Sequence, residues 1–210
     1  MSNIWFTSDT HFYHGQDFLY KPRGFQNTEE MNEAIIERWN SVVKEGDTVY
    51  HLGDVVMGHY DAKILCRLNG LIKFIRGNHD TNNKISGIYE AGRAAHKSWA
   101  FYDITFPTSE LIKFGKTSLF LCHYPVLTAN FDDKHFSQHV IALHGHTHQK
   151  GNWLFPDNPF LYHVGLDSHD CYPVNIDEVI TDIRERWTQL YQMGTVNMYN
   201  KGIYNTYPEE

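Results

Sequence analysis

An α/β fold of two packed sheets flanked by helices is what this sequence predicts, and three observations carry the prediction. Apolar strand-like runs alternate with helix-spaced runs from residue 3 to residue 80, in the order β-α-β-α-β. From about residue 98 the pattern changes to short strands joined by turns. One amphipathic run near the C-terminal end then closes the chain.

The first strand is NIWFTSD, residues 3–9, apolar and ending in polar residues. Residues 28–43, TEEMNEAIIERWNSVV, place Met31, Ile35, Trp39 and Val42 at helical spacing, with Thr28 as the expected N-cap. DTVYHLGD, residues 47–54, is the second strand. DAKILCRL, residues 61–68, reads as a helix stopped at Asn69-Gly70. LIKFIRGNHD, residues 71–80, is the third strand. The later strands are expected at FYDITF, SELIKFG, TSLFLCHYP, HVIALHGH, GNWLF and FLYHVGLD, and the closing helix at residues 175–191, with Ile176, Val179, Ile183 and Trp187 on one side. The tail, 194–210, lacks periodicity and is expected to pack loosely.

A chain of 210 residues with 41% hydrophobic and 15% aromatic content is expected to form one globular domain over 1–210. The formal net charge is −7 with no block of like charges, which argues against nonspecific binding to DNA or to an anionic membrane. No stable nucleic-acid partner is therefore expected. Cys66, Cys122 and Cys171 are odd in number and far apart, which excludes a disulfide framework and suits a reducing cytoplasm. The N-terminus has no basic region followed by an apolar core, so no signal peptide is expected. No run approaches about 18 apolar residues, so no membrane span is expected.

Five polar clusters each follow an apolar run. They are DTH (Asp9, His11), GD (Asp54), GNHD (Asn78, His79, Asp80), CHYP (His123) and GHTH (His146, His148). Any one of them is ordinary in a loop. Five together, each at a strand end, are not, because the carboxyl ends of strands in open α/β sheets are where ligands sit. Imidazole with carboxylate, and no thiolate, selects Mn, Fe or Zn ahead of Ca. Two ions about 3.5–4 Å apart need a shared ligand, and Asp54, on the middle strand of the first three, is the natural bridge.

The series D-x-H, G-D, G-N-H-D, H and G-H-x-H, spanning residues 9 to 148, resembles the calcineurin-like metallophosphoesterase superfamily. The stretches SDTHFYH, EMNEAIIERWN, DTVYHLGD and VGLDSHDCYPVNIDEV further resemble its small bacterial and phage members. The resemblance implies a four-layer α/β/β/α sandwich with two mixed sheets and a dimetal site at the strand ends. It implies that Asp9, His11 and His148 hold one ion, that Asn78, His123 and His146 hold the second, and that Asp54 serves both. It makes His79 a general acid beside the ions, with Asp80 orienting the His79 ring.

The expected chemistry is hydrolysis of a small, nucleotide-like phosphodiester by a water activated between two divalent ions, Mn foremost and Fe or Zn as alternatives. A phosphomonoesterase or nucleotide pyrophosphatase is the alternative within the class, and a catalytically silent binding scaffold of the same fold the alternative outside it. Retention of His79 speaks against the scaffold. No G-x-S-x-G elbow and no P-loop occurs, so acyl transfer and NTP-driven chemistry have no support. His14 and Arg23 are the candidate substrate contacts, Arg23 as a bidentate phosphate clamp. Arg76 is expected in an ion pair at the strand edge. His144 is expected to be structural, and His51, His163 and Asp167 to lie just behind the ligands.

Overall fold

The computed structural model describes residues 2–58, 60–101, 106–129 and 135–193. The tail beyond 193 and most of the expected strand FYDITF lie outside the described residues. Two four-stranded mixed sheets stack face to face. The first runs in the order β3-β2-β1-β8, built from β1 (Ile4–Thr7), β2 (Thr48–His51), β3 (Leu71–Phe74) and β8 (Val174–Asn175). Its first three strands are parallel, with Ile4 opposite Thr48 and Thr48 opposite Leu71, and β8 lies antiparallel to β1. The second runs β4-β5-β6-β7, from β4 (Ser109–Phe114), β5 (Thr117–Cys122), β6 (Val140–His144) and β7 (Leu161–His163). There β4 pairs antiparallel with β5, while β5, β6 and β7 are parallel.

Alternation along the strands sends side chains into two cores. Phe6, Tyr50, Leu52 and Ile75 meet Leu119, Leu121, Ile141 and Leu143 between the sheets, and Val179 and Ile183 of a closing helix pack into the same cluster. Val49, Ile72 and Phe74 face the other way, onto a helical layer. That layer contains α2 (Thr28–Val42), whose Met31, Ile35 and Trp39 are fully buried, and α3 (Asn82–Ala94); α1 (Asp17–Tyr20) is one short turn, and α4 (Ile176–Gln192) closes the chain. The N-cap of α2 is Asn27, not Thr28. Asn27 is extended and its Oδ1 accepts the Glu30 N–H at 2.8 Å, whereas the Thr28 hydroxyl donates to the His14 carbonyl.

The expected helix at 61–68 is a 3₁₀ helix, Tyr60–Arg67. Its buried residues are Ala62, Ile64 and Leu65, with Leu68 just beyond its end. GNWLF forms no strand and contributes one isolated antiparallel bridge, Trp153 to Tyr162. Helix α3 was not anticipated because Gly87 and Gly92 interrupt its apolar pattern. Gly92 is required there: a Cβ would lie 2.5 Å from the Trp99 ring. The long strand-like runs at residues 3–9, 47–54 and 71–80 each pair for four residues only, and their remaining polar residues form the loops of the site.

Candidate metal centre

Because β1, β2 and β3 are parallel, and β5 and β6 are parallel, the loops after them gather on one edge of the sandwich. The loops are stitched together by backbone hydrogen bonds: Asp9 N–H donates to the Gly53 carbonyl, His11 N–H to that of Asp54 and Phe12 N–H to that of Val55, each at 3.0 Å. Asp9, His11, Asp54, His146 and His148 all have left-handed backbone, with φ between 45° and 70°. That conformation is uncommon outside glycine and costs about 1–3 kcal/mol per residue. Strain is thus concentrated at the positions the sequence singled out. Gly145 in LHGHTH has no room for a side chain, since a Cβ would run into Ser8 Oγ and Asp9 Oδ2.

Asp9, His11, Asp54 and His123 are almost completely buried. The potential ligand atoms of Asp9, His11 and His148 lie within 4.8 Å of one another, as do those of Asp9, Asp54 and His123. Asp9 is common to both groups, and Asp54 Oδ2 stands 3.5 Å from His11 Nε2 and 3.5 Å from His123 Nε2. Asp9 Oδ1 is 3.8 Å from both His11 Nε2 and His148 Nε2. Asn78 Oδ1 joins on the His123 side, 2.9 Å from His123 Nε2 and 3.0 Å from His146 Nδ1.

This donor set fits a cation. Among the described residues Asp9 Oδ1 and both ring nitrogens of His11 are buried without a hydrogen-bond partner, a costly state for polar atoms. Burial pushes the Asp9 carboxyl up, and burial, followed by the neighbouring His148 and Arg23, holds His11 far below its ordinary range, so the ring is neutral. His123 Nδ1 lies 2.8 Å from the Leu52 carbonyl, which can only accept, so Nδ1 carries the proton. Nε2, the other ring nitrogen, faces the oxygens of Asn78 and Asp54. Carboxylates and imidazole nitrogens converging around a buried floor of Asp9, His11, Asp54 and His123 are what a divalent ion compensates.

Two expected roles are corrected. Arg23 is no phosphate clamp: its side chain is 1% exposed. Its Nε and one terminal nitrogen bind both oxygens of Asp167, at 3.0 and 2.8 Å, and that terminal nitrogen also donates to the Asp9 carbonyl at 2.7 Å. Asp80 does not orient the His79 ring. Its carboxylate accepts the backbone N–H of Asp54, Gly77 and Val55 at 2.8, 2.8 and 3.1 Å, tying the loop after β3 to the loop after β2.

The remaining candidates fall around this cluster. His79 is exposed, with its ring 5.6 Å from that of His11. His14 is half-buried, its ring 5.4 Å from His11 and 5.4 Å from the exposed Phe18. His144 is buried with Nδ1 against the Gly145 carbonyl, opposite His163 in the β6–β7 register. His51 binds the Thr10 hydroxyl at 2.9 Å and accepts the Gly53 N–H at 3.2 Å, bracing the first two loops. Arg76 donates to the Asp80 carbonyl and to Asn82 Oδ1, a hydrogen-bonded strand edge in place of the expected ion pair. Tyr124 was missed: its half-exposed ring lies 4.9 Å from that of His146 and 5.2 Å from that of His123. The available signal was its place directly after His123 in CHYP.

Two stacked mixed sheets with histidine, aspartate and asparagine converging at the parallel strand ends define a metallohydrolase type of architecture. The chain matches the calcineurin-like phosphoesterase superfamily domain over residues 3–153, and it belongs to that superfamily. It is 30% identical to the Gene 66 protein of Mycobacterium phage D29 over 202 residues, covering 88% of this chain and 99% of the phage protein. It is 49% identical over 84 residues to an uncharacterised protein of Methanocaldococcus jannaschii, a match covering 38% of this chain and about half, 48%, of the archaeal one. A protein of unknown function from Aquifex aeolicus has a similar fold, with a TM-score of 0.62 at 21% identity over 86% of this chain and 99% of that one.

Proposed function

We propose that the chain hydrolyses small phosphodiesters with two divalent ions held by Asp9, His11 and His148 on one side and Asn78, His123 and His146 on the other, with Asp54 shared. The observation that carries this reading is the position of Asp54 Oδ2, 3.5 Å from an imidazole nitrogen of each group. When bound, such ions supply an acidified water and neutralise phosphoryl oxygens. The donors are nitrogen and oxygen with no thiolate, which favours Mn²⁺, with Fe²⁺ or Zn²⁺ next.

The protein's own part is positioning and proton transfer. Asp9, His11 and His123 are fixed by burial and by backbone stitching, so their ring and carboxylate directions are set before substrate arrives. His79 would donate a proton to the leaving oxygen, a contribution of about 10²–10⁴ in rate; its exposure beside the His11 ring supports this reading.

Two features favour a diester. A monoester dianion profits from cationic side chains around its extra charge. Arg23 is spent on Asp167 and Asp9, and Arg76 on Asp80 and Asn82. The exposed rings of Tyr13, Phe18 and Tyr124 offer flat apolar surfaces for the ester groups, which suits a nucleotide-like substrate. The test compares bis-p-nitrophenyl phosphate with p-nitrophenyl phosphate on Mn²⁺-loaded protein, followed by cyclic mononucleotides. A higher kcat/KM for the diester is expected. A higher value for the monoester, with cyclic nucleotides untouched, reassigns the chain to a phosphatase.

A further inference from the structure

We infer that Asp167, clamped by Arg23, is a positioning residue for His148, and that this buried pair sets the geometry of one metal subsite and not the other. The inference rests on the dimetal reading above and adds to it a device that the ligand motifs do not contain.

Asp167 Oδ2 stands 2.9 Å from His148 Nδ1. A carboxylate only accepts, so Nδ1 carries a proton, and Nε2, 3.8 Å from Asp9 Oδ1, is the nitrogen left to serve an ion. The bond therefore fixes both the tautomer and the ring direction, as carboxylates behind ligating histidines do. His148 needs this more than the other imidazoles. It is 36% exposed, in a left-handed backbone conformation after β6, while His11 and His123 are locked by burial.

Asp167 is itself held. Arg23 grips both of its oxygens, and the same guanidinium donates to the backbone carbonyl of Asp9. One side chain thus links the backbone of Asp9 to the ring partner of His148, two ligands 139 positions apart in sequence. Arg23 is 1% and Asp167 8% exposed. A buried ion pair carries a large desolvation cost and is weak grounds for stability alone. What it supplies here is direction: among the described residues the side chains of the pair bond to Thr10, Met31, Asp9 and His148, and none of these hydrogen bonds goes to Asn78, His123 or His146.

The asymmetry gives the test. Mn²⁺ affinity of the metal-depleted chain is measured by calorimetry, with Co²⁺ absorption as a second readout, for the parent, Asp167→Ala, Asp167→Asn and the double variant Arg23→Met/Asp167→Leu. The parent is expected to take up two ions. In Asp167→Ala one ion binds about 10–100-fold more weakly and the other as in the parent. Asp167→Asn keeps a neutral acceptor and is expected to lose less. The double variant removes both charges together, so the melting temperature of its metal-free form should stand close to the parent's while the one ion stays weak. Two unchanged affinities in Asp167→Ala overturn the inference. So does a loss shared by both ions that the double variant restores along with stability, since that is a purely structural role. A parent that binds no ion overturns the dimetal reading itself, a separate outcome.

Discussion

The backbone N–H of His79 donates to Asp54 Oδ1 at 2.8 Å. One oxygen of Asp54 is therefore committed to the loop that carries the proposed acid. The other, Oδ2, is left between His11 and His123. Oδ2 is thus the oxygen that would serve both proposed ions, and the loop bearing His79 is registered to that same carboxylate.

Asp54→Asn halves this arrangement's charge and places an N–H₂ or a neutral oxygen where both ions would meet. It is expected to weaken both ions and to reduce kcat by at least about 10³-fold, the scale of losing a central electrostatic group. Asp9→Asn is expected to harm mainly the ion shared with His11 and His148. Two normally bound ions and near-parent turnover in Asp54→Asn contradict the shared role.

Asp80 is a fastener, so its loss is a stability effect. Asp80→Ala leaves three buried backbone N–H groups, those of Asp54, Val55 and Gly77, without their acceptor. At about 1–3 kcal/mol for a buried donor, the metal-free protein is expected to lose at least about 3 kcal/mol in urea unfolding. His79→Ala, at an exposed position, is expected to lose less than about 0.5 kcal/mol. Equal losses in the two variants contradict these roles.

His79→Ala is expected to retain both ions. Its kcat should fall about 10²-fold or more for an alkyl or nucleoside leaving group and little for p-nitrophenolate, which departs without a proton. Equal losses for both leaving groups make His79 a phosphate-binding or positioning group instead.

Acid is expected to destabilise the metal-free chain through buried histidines. Burial lowers His51 to about 3, His163 to about 3 and His144 to about 4. Below about pH 6.5 the unfolded chain takes up protons that these folded rings refuse. Stability is thus lost as pH falls from about 6.5 toward 4, by up to about 1.4 kcal/mol per group per pH unit. His148 works in the opposite sense: burial lowers it, but the bond to Asp167 and the charge of Asp9 more than offset this and raise it. Urea melts at pH 7.5, 6 and 5 should show the decline, and His51→Gln should flatten it by one group's share. A stability independent of pH in this window contradicts the burial of these rings as neutral groups.

The residues proposed as ligands were legible because each lies in a short motif directly after an apolar strand, where local sequence and fold agree. Their partners were not. Nothing near Arg23 in KPRGF announces a carboxylate 144 positions later, so its solvent-facing reading as a clamp failed against burial by Asp167. The resemblance pairs Asp80 with the His79 ring, whereas its oxygens turn toward the Asp54 loop of a neighbouring strand. Among the elements, α3 was hidden by Gly92, whose absent side chain lets Trp99 approach. The run at 61–68 reads as a helix and is one, of the 3₁₀ type over Tyr60–Arg67.

The central claim is that Asp54 and the imidazoles around it hold two ions. The direct measurement is metal content by elemental analysis after depletion and reconstitution with Mn²⁺ or Zn²⁺, joined to thermal melts with and without metal. The account predicts close to two ions per chain and a raised melting temperature, because an ion that binds only the folded state stabilises it. A reproducible value of zero, with no shift in melting temperature, contradicts it.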